Sequence, residues 1–102
     1  MSDLHTVNKS PFEKDSFGSC VRFSKAGASI LLIEDAVYAA LKGTAVEQQT
    51  TSALGDKKVY VLGPDLNARG FTEERLIDGV QVVDYAGFVD LVETTDKVQA
   101  WL

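Results

Sequence analysis

The chain has 102 residues, 45% of them hydrophobic and 25% charged, with a formal net charge of −5. That composition fits a single folded domain spanning residues 1–102 and excludes a disordered or fibrous chain. The longest basic run is Lys57-Lys58, and the last 51 residues carry nine acidic groups against five basic ones. Direct binding to nucleic acid or to an anionic membrane is therefore not expected, because both need clustered cations. No stretch approaches the ~20 apolar residues that cross a bilayer. The segment Met1-Ser2-Asp3-Leu4-His5 lacks the basic-then-apolar layout of a signal peptide, so the cytoplasm is the expected compartment.

Taken in chain order, Leu4-His5-Thr6-Val7 reads as a first strand. Ser10-Pro11-Phe12-Glu13 has capping-box spacing with proline at the first helical position. Phe17, Cys20, Val21 and Ser24 follow at i, i+3, i+4 and i+7, so a helix is predicted from this point to a stop at Gly27. Ser29–Ile33 and Lys58–Leu62 are near-continuously apolar and rich in β-branched residues, the pattern of strands covered on both faces in a parallel sheet. Between them Asp35 is placed to cap a helix through Ala36–Leu41, ending before Gly43. Pro64–Arg69 reads as one or two helical turns closed by Gly70. Val80–Val83 is a further strand, and Asp84 can cap a last helix with Tyr85, Phe88, Val89 and Val92 on one face. Val98–Leu102 fits a short edge strand. Strands alternating with helices imply right-handed crossovers. The expected fold class is α/β, a single three-layer domain with a central mostly parallel sheet, flavodoxin-like or Rossmann-like.

Several chemistries lack a motif. There is no G-x-G-x-x-G after the first strand, no phosphate-binding loop of the Walker type and no G-x-S-x-G elbow. No cofactor is expected. One cysteine and one histidine supply neither an internal disulfide nor a cysteine-rich or two-histidine metal site, so no metal is expected. His5, in the first strand, reads as a packed or hydrogen-bonded residue at a strand face. Glu34-Asp35 and Glu73-Glu74 are sequence neighbours that point apart, which suits caps and helix dipoles better than a paired-carboxylate site. Asp35, with Gly63, also lies at strand C-termini, where open α/β sheets bind ligands.

Cys20 is the one residue equipped for covalent chemistry. Buried cysteines mostly act as small hydrophobes, and this one shares a helical face with Phe17 and Val21. A reactive thiol needs its pKa lowered by cations or a helix N-terminus. Cys20 lies well inside its helix, and Arg22 points to another face, so the local spacing supports packing at least as well as reactivity.

Several segments, in order and at about the right length, resemble the DsrH/TusB family of sulfur-relay proteins. They are Leu4–Phe12, Glu34–Ala40, Leu62–Gly70 and Val83–Leu91, with the final Ala100-Trp101-Leu102. Cys20 falls where DsrH proteins carry a cysteine and TusB proteins generally do not. The resemblance therefore implies a DsrEFH-type heterohexamer with DsrE- and DsrF-like subunits, two copies of each. Such assemblies relay persulfide sulfur in dissimilatory sulfur oxidation, with a DsrC-like acceptor. On that reading Cys20 is the catalytic residue, a persulfide carrier secondary to the principal cysteine on DsrE. TusB belongs to the analogous Tus assembly, which feeds sulfur to 2-thiolation of the transfer-RNA wobble uridine. A structural subunit whose cysteine only packs is the remaining alternative.

Overall fold

The computed structural model describes residues 3–102. Five strands form one all-parallel sheet: β1 (Asp3–Val7), β2 (Ser29–Leu32), β3 (Lys58–Leu62), β4 (Gln81–Val83) and β5 (Lys97–Trp101). Their order across the sheet is β4-β3-β2-β1-β5. Four α-helices connect them: α1 (Ser16–Phe23), α2 (Glu47–Ala53), α3 (Gly63–Ala68) and α4 (Tyr85–Thr94). Two 3-10 helices, Glu34–Ala40 and Glu73–Arg75, complete the chain. Among the described residues no helix is long and apolar enough to cross a membrane.

The strand order decides which helices share a face. From β1 to β4 the chain steps repeatedly in one direction, so right-handed crossovers leave α1, the 3-10 helix at Glu34–Ala40, α2 and α3 on the same side. The next crossover runs back across the whole sheet to β5 and therefore carries α4 over the opposite side. Side chains alternate between these faces. In register, His5, Val7, Ile30, Leu32, Val59 and Val61 point to the first side, where Val7, Ile30, Leu32, Val59 and Val61 join the main core with Phe17, Cys20, Val37 and Leu66. Leu4, Leu31 and Leu62 point to the other side and are also buried.

Three local expectations are corrected. The helix predicted from Pro11 starts only at Ser16, because Ser10 Oγ accepts from Phe12 N–H at 3.2 Å and so closes a local turn. Glu13 and Lys14 N–H then return to the Ser10 carbonyl, and the chain is re-aimed before α1 begins. Residues 34–40 form a 3-10 helix, not an α-helix. Side chains three apart eclipse in that geometry, and here Ala36 with Ala39, and Val37 with Ala40, are small enough to stack while fully buried. Asp35 does not cap it: its Oδ1 accepts from Arg69 Nε at 3.1 Å and Nη2 at 2.9 Å. The Asp84 cap forms as expected, accepting from Gly87 N–H at 2.8 Å.

The helix α2 carries no apolar stripe to announce it. Its inward side is Thr50 and Ala53, and the Thr50 hydroxyl donates to the Ala39 carbonyl at 2.7 Å, tying α2 to the 3-10 helix. At the other end of the fold, Trp101 Nε1 donates to His5 Nδ1 at 3.0 Å and clasps β5 to β1. That bond places the proton of the neutral imidazole on Nε2, which is buried and has no hydrogen-bond partner among the described residues. Burial pushes the His5 pKa below its ordinary 6.5, with Asp3 opposing and Lys97 adding to the shift.

Two predictions follow from these contacts. Thr50→Val keeps the shape but leaves the Ala39 carbonyl without its donor, a loss of about 1–2 kcal/mol. At about 4–8 °C per kcal/mol for a domain of this size, a thermal melt resolves it. For His5 the neutral form is favoured in the fold, so its contribution is complete above pH 6.5. It declines as pH falls below that value, because the unfolded chain then takes up a proton that the folded chain resists. Urea unfolding followed by Trp101 fluorescence at about pH 7.5 and about pH 5.5 reads this linkage. The acid-induced loss is expected to shrink in His5→Gln, and equal losses in both proteins would remove His5 from the account.

Candidate functional site

Helix α1 turns Phe17 and Cys20, three residues apart, onto the sheet and leaves Arg22 outside. Arg22 is engaged by Asp15 at 2.8 Å on the exposed surface. Cys20 is 0% exposed and sits in the core cluster with Val7, Phe17, Ile30 and Leu32. Burial pushes its thiol pKa up to about 12. At neutral pH a thiol with that pKa is ionised in only about one molecule in 10⁵, against a few per cent for an unperturbed one. The one cation that pulls in the opposite direction is Lys57, from the turn before β3. Its side chain is 8% exposed and its ammonium lies 3.0 Å from Asp56 Oδ1. Arg22, the cation near Cys20 along the chain, is not the one that acts on it. Lys57 reaches the thiol only through the β2–β3 pairing, and nothing local to Cys20 signals it.

The C-terminal ends of the strands carry a separate set of side chains. Phe12, more than half exposed, packs on Tyr38 with ring centroids 6.4 Å apart. Tyr38 meets Phe71 edge-on at 5.6 Å, and the Arg75 guanidinium lies 5.6 Å above the Phe71 ring. This row crosses from the loop after β1 to the segment after α3. Beside it, Glu34 holds a left-handed backbone with φ of 49°, unusual for a residue with a Cβ. Its N–H is taken by Asp65 Oδ2 at 2.7 Å, so α3 braces the turn that ends β2 through both Asp65 and Arg69.

Asp35 and Gly63, placed together by sequence at one ligand-binding edge, line two different clefts. One of about 320 Å³ is bounded by Ser10, Phe12, Glu13, Asp35 and Tyr38. The other, about 620 Å³, lies between α3 and the end of β4 and includes Gly63, Asn67, Glu73 and Asp84. Each is lined by two carboxylates and by no Lys or Arg. Phosphate groups need the reverse, convergent N–H donors or cations, so neither cleft suits a nucleotide. Gly63 itself is packed tightly: a Cβ there would stand 3.0 Å from Val82 Cγ1. Among the described residues no three His, Cys, Asp or Glu side chains converge on a metal position. His5 is buried and hydrogen-bonded at its strand face, as its sequence context indicated.

The geometry thus offers a packed domain with a sequestered thiol, acidic open clefts and aromatic surface, and it can be set beside known proteins. Protein TusB of Shigella flexneri is 37% identical over 98 residues, covering 96% of this chain and 99% of its own. The crystal structure of the ychN protein from Escherichia coli superposes with a TM-score of 0.80 at 24% identity, covering 98% of this chain and 99% of that one, a likeness of fold. The solution structure of protein Tm0979 from Thermotoga maritima superposes with a TM-score of 0.62 at 28% identity, covering 89% and 91%. The family described as DsrH like protein matches residues 9–98, and the chain belongs to this DsrH/TusB family of sulfur-relay proteins.

Proposed function

We propose that this chain is a docking subunit of a cytoplasmic sulfur-relay assembly, in which the travelling sulfur is held by thiols of partner subunits and Cys20 packs the core. The observation that carries this reading is the complete burial of Cys20, with its pKa pushed up to about 12. Sulfane transfer requires a thiolate to attack the donor's outer sulfur and a leaving thiolate to depart, so it depends on ionisation and on access. Cys20 has neither in the fold of this chain. The similarity to TusB proteins favours the assembly that feeds 2-thiolation of the transfer-RNA wobble uridine. The match to the DsrH-like family is what supports the second reading, a DsrEFH-type heterohexamer passing sulfur to a DsrC-like acceptor with Cys20 as accessory carrier.

Two measurements separate these readings. The assembled complex, given a persulfide donor, is expected to gain sulfur on a partner chain and none on Cys20, as read by intact mass of each chain. A sulfur atom recovered on Cys20 would establish the carrier role instead. The second uses Cys20→Ala, which is cleaner than serine because a hydroxyl in this apolar setting adds an unpaired polar group. It is expected to cost about 1–2 kcal/mol in stability, as for loss of a small buried group, while sulfur flux through the complex stays within about twofold. In the native wild-type chain the thiol is expected to resist a disulfide reagent such as dithiobis(nitrobenzoate), and to react stoichiometrically once urea unfolds it.

A further inference from the structure

The edge strand β5 pairs only with β1, and its residues Lys97 to Ala100 are exposed. Trp101, half-buried, is the residue that ties it to the fold: its indole packs on the core and its Nε1 donates to His5 Nδ1 at 3.0 Å, with the two rings 6.1 Å apart. Beyond the strand, an exposed bond from Ser16 Oγ to the Leu102 carbonyl adds a second tether at 3.0 Å.

The indole bond occupies the one lone pair that a neutral imidazole offers as acceptor. A proton taken up at Nδ1 would turn that acceptor into a donor and set it against the N–H of Trp101. The other ring nitrogen, Nε2, is buried and has no acceptor among the described residues. An imidazolium in the closed fold would therefore lack an acceptor at both nitrogens, where an unpaired charge is costly. Asp3 on the same strand favours the charged ring, Lys97 on β5 opposes it, and burial is the larger effect. From the other elements around it, β2 brings no ionisable side chain, and α1 brings the neutral Cys20 thiol and Arg22, which is engaged by Asp15.

We propose that the His5–Trp101 bond is a proton-operated latch, whose protonation frees β5 from β1 while β1 to β4 and the main core stay folded. The opening is local because β1 lies between two strands and cannot withdraw His5, whereas β5 has a single strand neighbour. The open ring has its ordinary pKa of 6.5 and the closed one lies below it, so the latch is shut at neutral pH and loosens as pH falls. At about pH 5 an open ring is protonated about thirtyfold over its neutral form, which caps the gain in opening at about thirtyfold.

The test is amide hydrogen exchange of the full chain at about pH 7.5 and about pH 5, expressed as protection so that the intrinsic pH dependence of exchange cancels. Residues 98–101 are expected to lose about tenfold in protection, through an opening that low urea does not promote and at a level well below that of β2 and β3. His5→Gln keeps an acceptor for Trp101 and cannot titrate, so its β5 protection is expected to hold within about twofold over the same range. Trp101→Phe removes the donor at a half-buried position and is expected to leave β5 at least about tenfold less protected already at about pH 7.5. Unchanged β5 protection in the wild type overturns the latch. So does exchange of β5 in step with β2 and β3, which would mean that it opens only with the whole domain. An equal acid loss in His5→Gln removes His5 as the proton acceptor and overturns it as well. Should the glutamine chain fail to fold, a Trp101→Phe chain protected like the wild type at about pH 7.5 overturns it alone.

Discussion

The handedness of the crossover connection governs the rest of this molecule. Four strands laid down in one direction commit α1 to α3 and both 3-10 segments to one face, where the main core forms. The single reversal, from β4 back to β5, leaves one ten-residue helix to cover the opposite face. A five-stranded sheet is wider than one helix, since neighbouring strands lie about 4.8 Å apart and a helix with its side chains is about 10–12 Å across. Leu4, Leu31 and Leu62 are covered, whereas Val98 and the outer stripe of α4 are not. The unevenness is a consequence of topology, and no choice of side chains on α4 alone would remove it.

The same constraint determines what can happen at Cys20. The thiol belongs to the well-covered side, between α1 and the sheet, where desolvation dominates any nearby charge. Lys57 is close enough to oppose the shift but is itself largely buried and paired to Asp56. Bringing this thiol to a donor would require α1 to separate from β1 and β2, exposing Phe17 with it. Burying one such aromatic contributes about 1.5–3 kcal/mol, so the opened state would be sparsely populated in the free chain. A partner that stabilised the opened α1 would have to supply at least that much.

Much of this architecture was legible in the sequence because it depends on short, strongly patterned segments. Ser29–Leu32 and Lys58–Leu62 are apolar enough to be strands buried on both faces, and they occupy the middle of the sheet. The Asp84 cap was readable because capping is local, whereas the face read for α4 is split: Phe88 turns toward the sheet with Gly87 and Leu91, and Tyr85, Val89 and Val92 are exposed. The misplacements came where tertiary partners override local preference. Ser10 is used by Phe12 N–H, Asp35 is taken by Arg69 from a helix more than 30 residues away, and α2 is held by a threonine hydroxyl in place of an apolar stripe. The family was legible from the ordered set of segments, whereas the state of Cys20 was not. Its spacing favours a packed residue and the carrier role came only from the family resemblance, while the core and Lys57 are brought around it by the tertiary fold.

The two faces of the sheet can therefore be assigned different work. On the first, aliphatic and alanine side chains pack closely, and the fully buried residues of the 3-10 segment at Glu34–Ala40 are three alanines and a valine. Chemistry placed there would have to disrupt that packing. On the second, β5 is left open, while the His5–Trp101 clasp on the first side holds that outer strand by a specific hydrogen bond even though four of its five residues are exposed. An edge strand that exposed is normally a liability for non-specific pairing. Anchoring it while leaving it uncovered preserves a defined surface, which is what a subunit needs if its contribution to a relay is to position other chains and not to carry the sulfur itself.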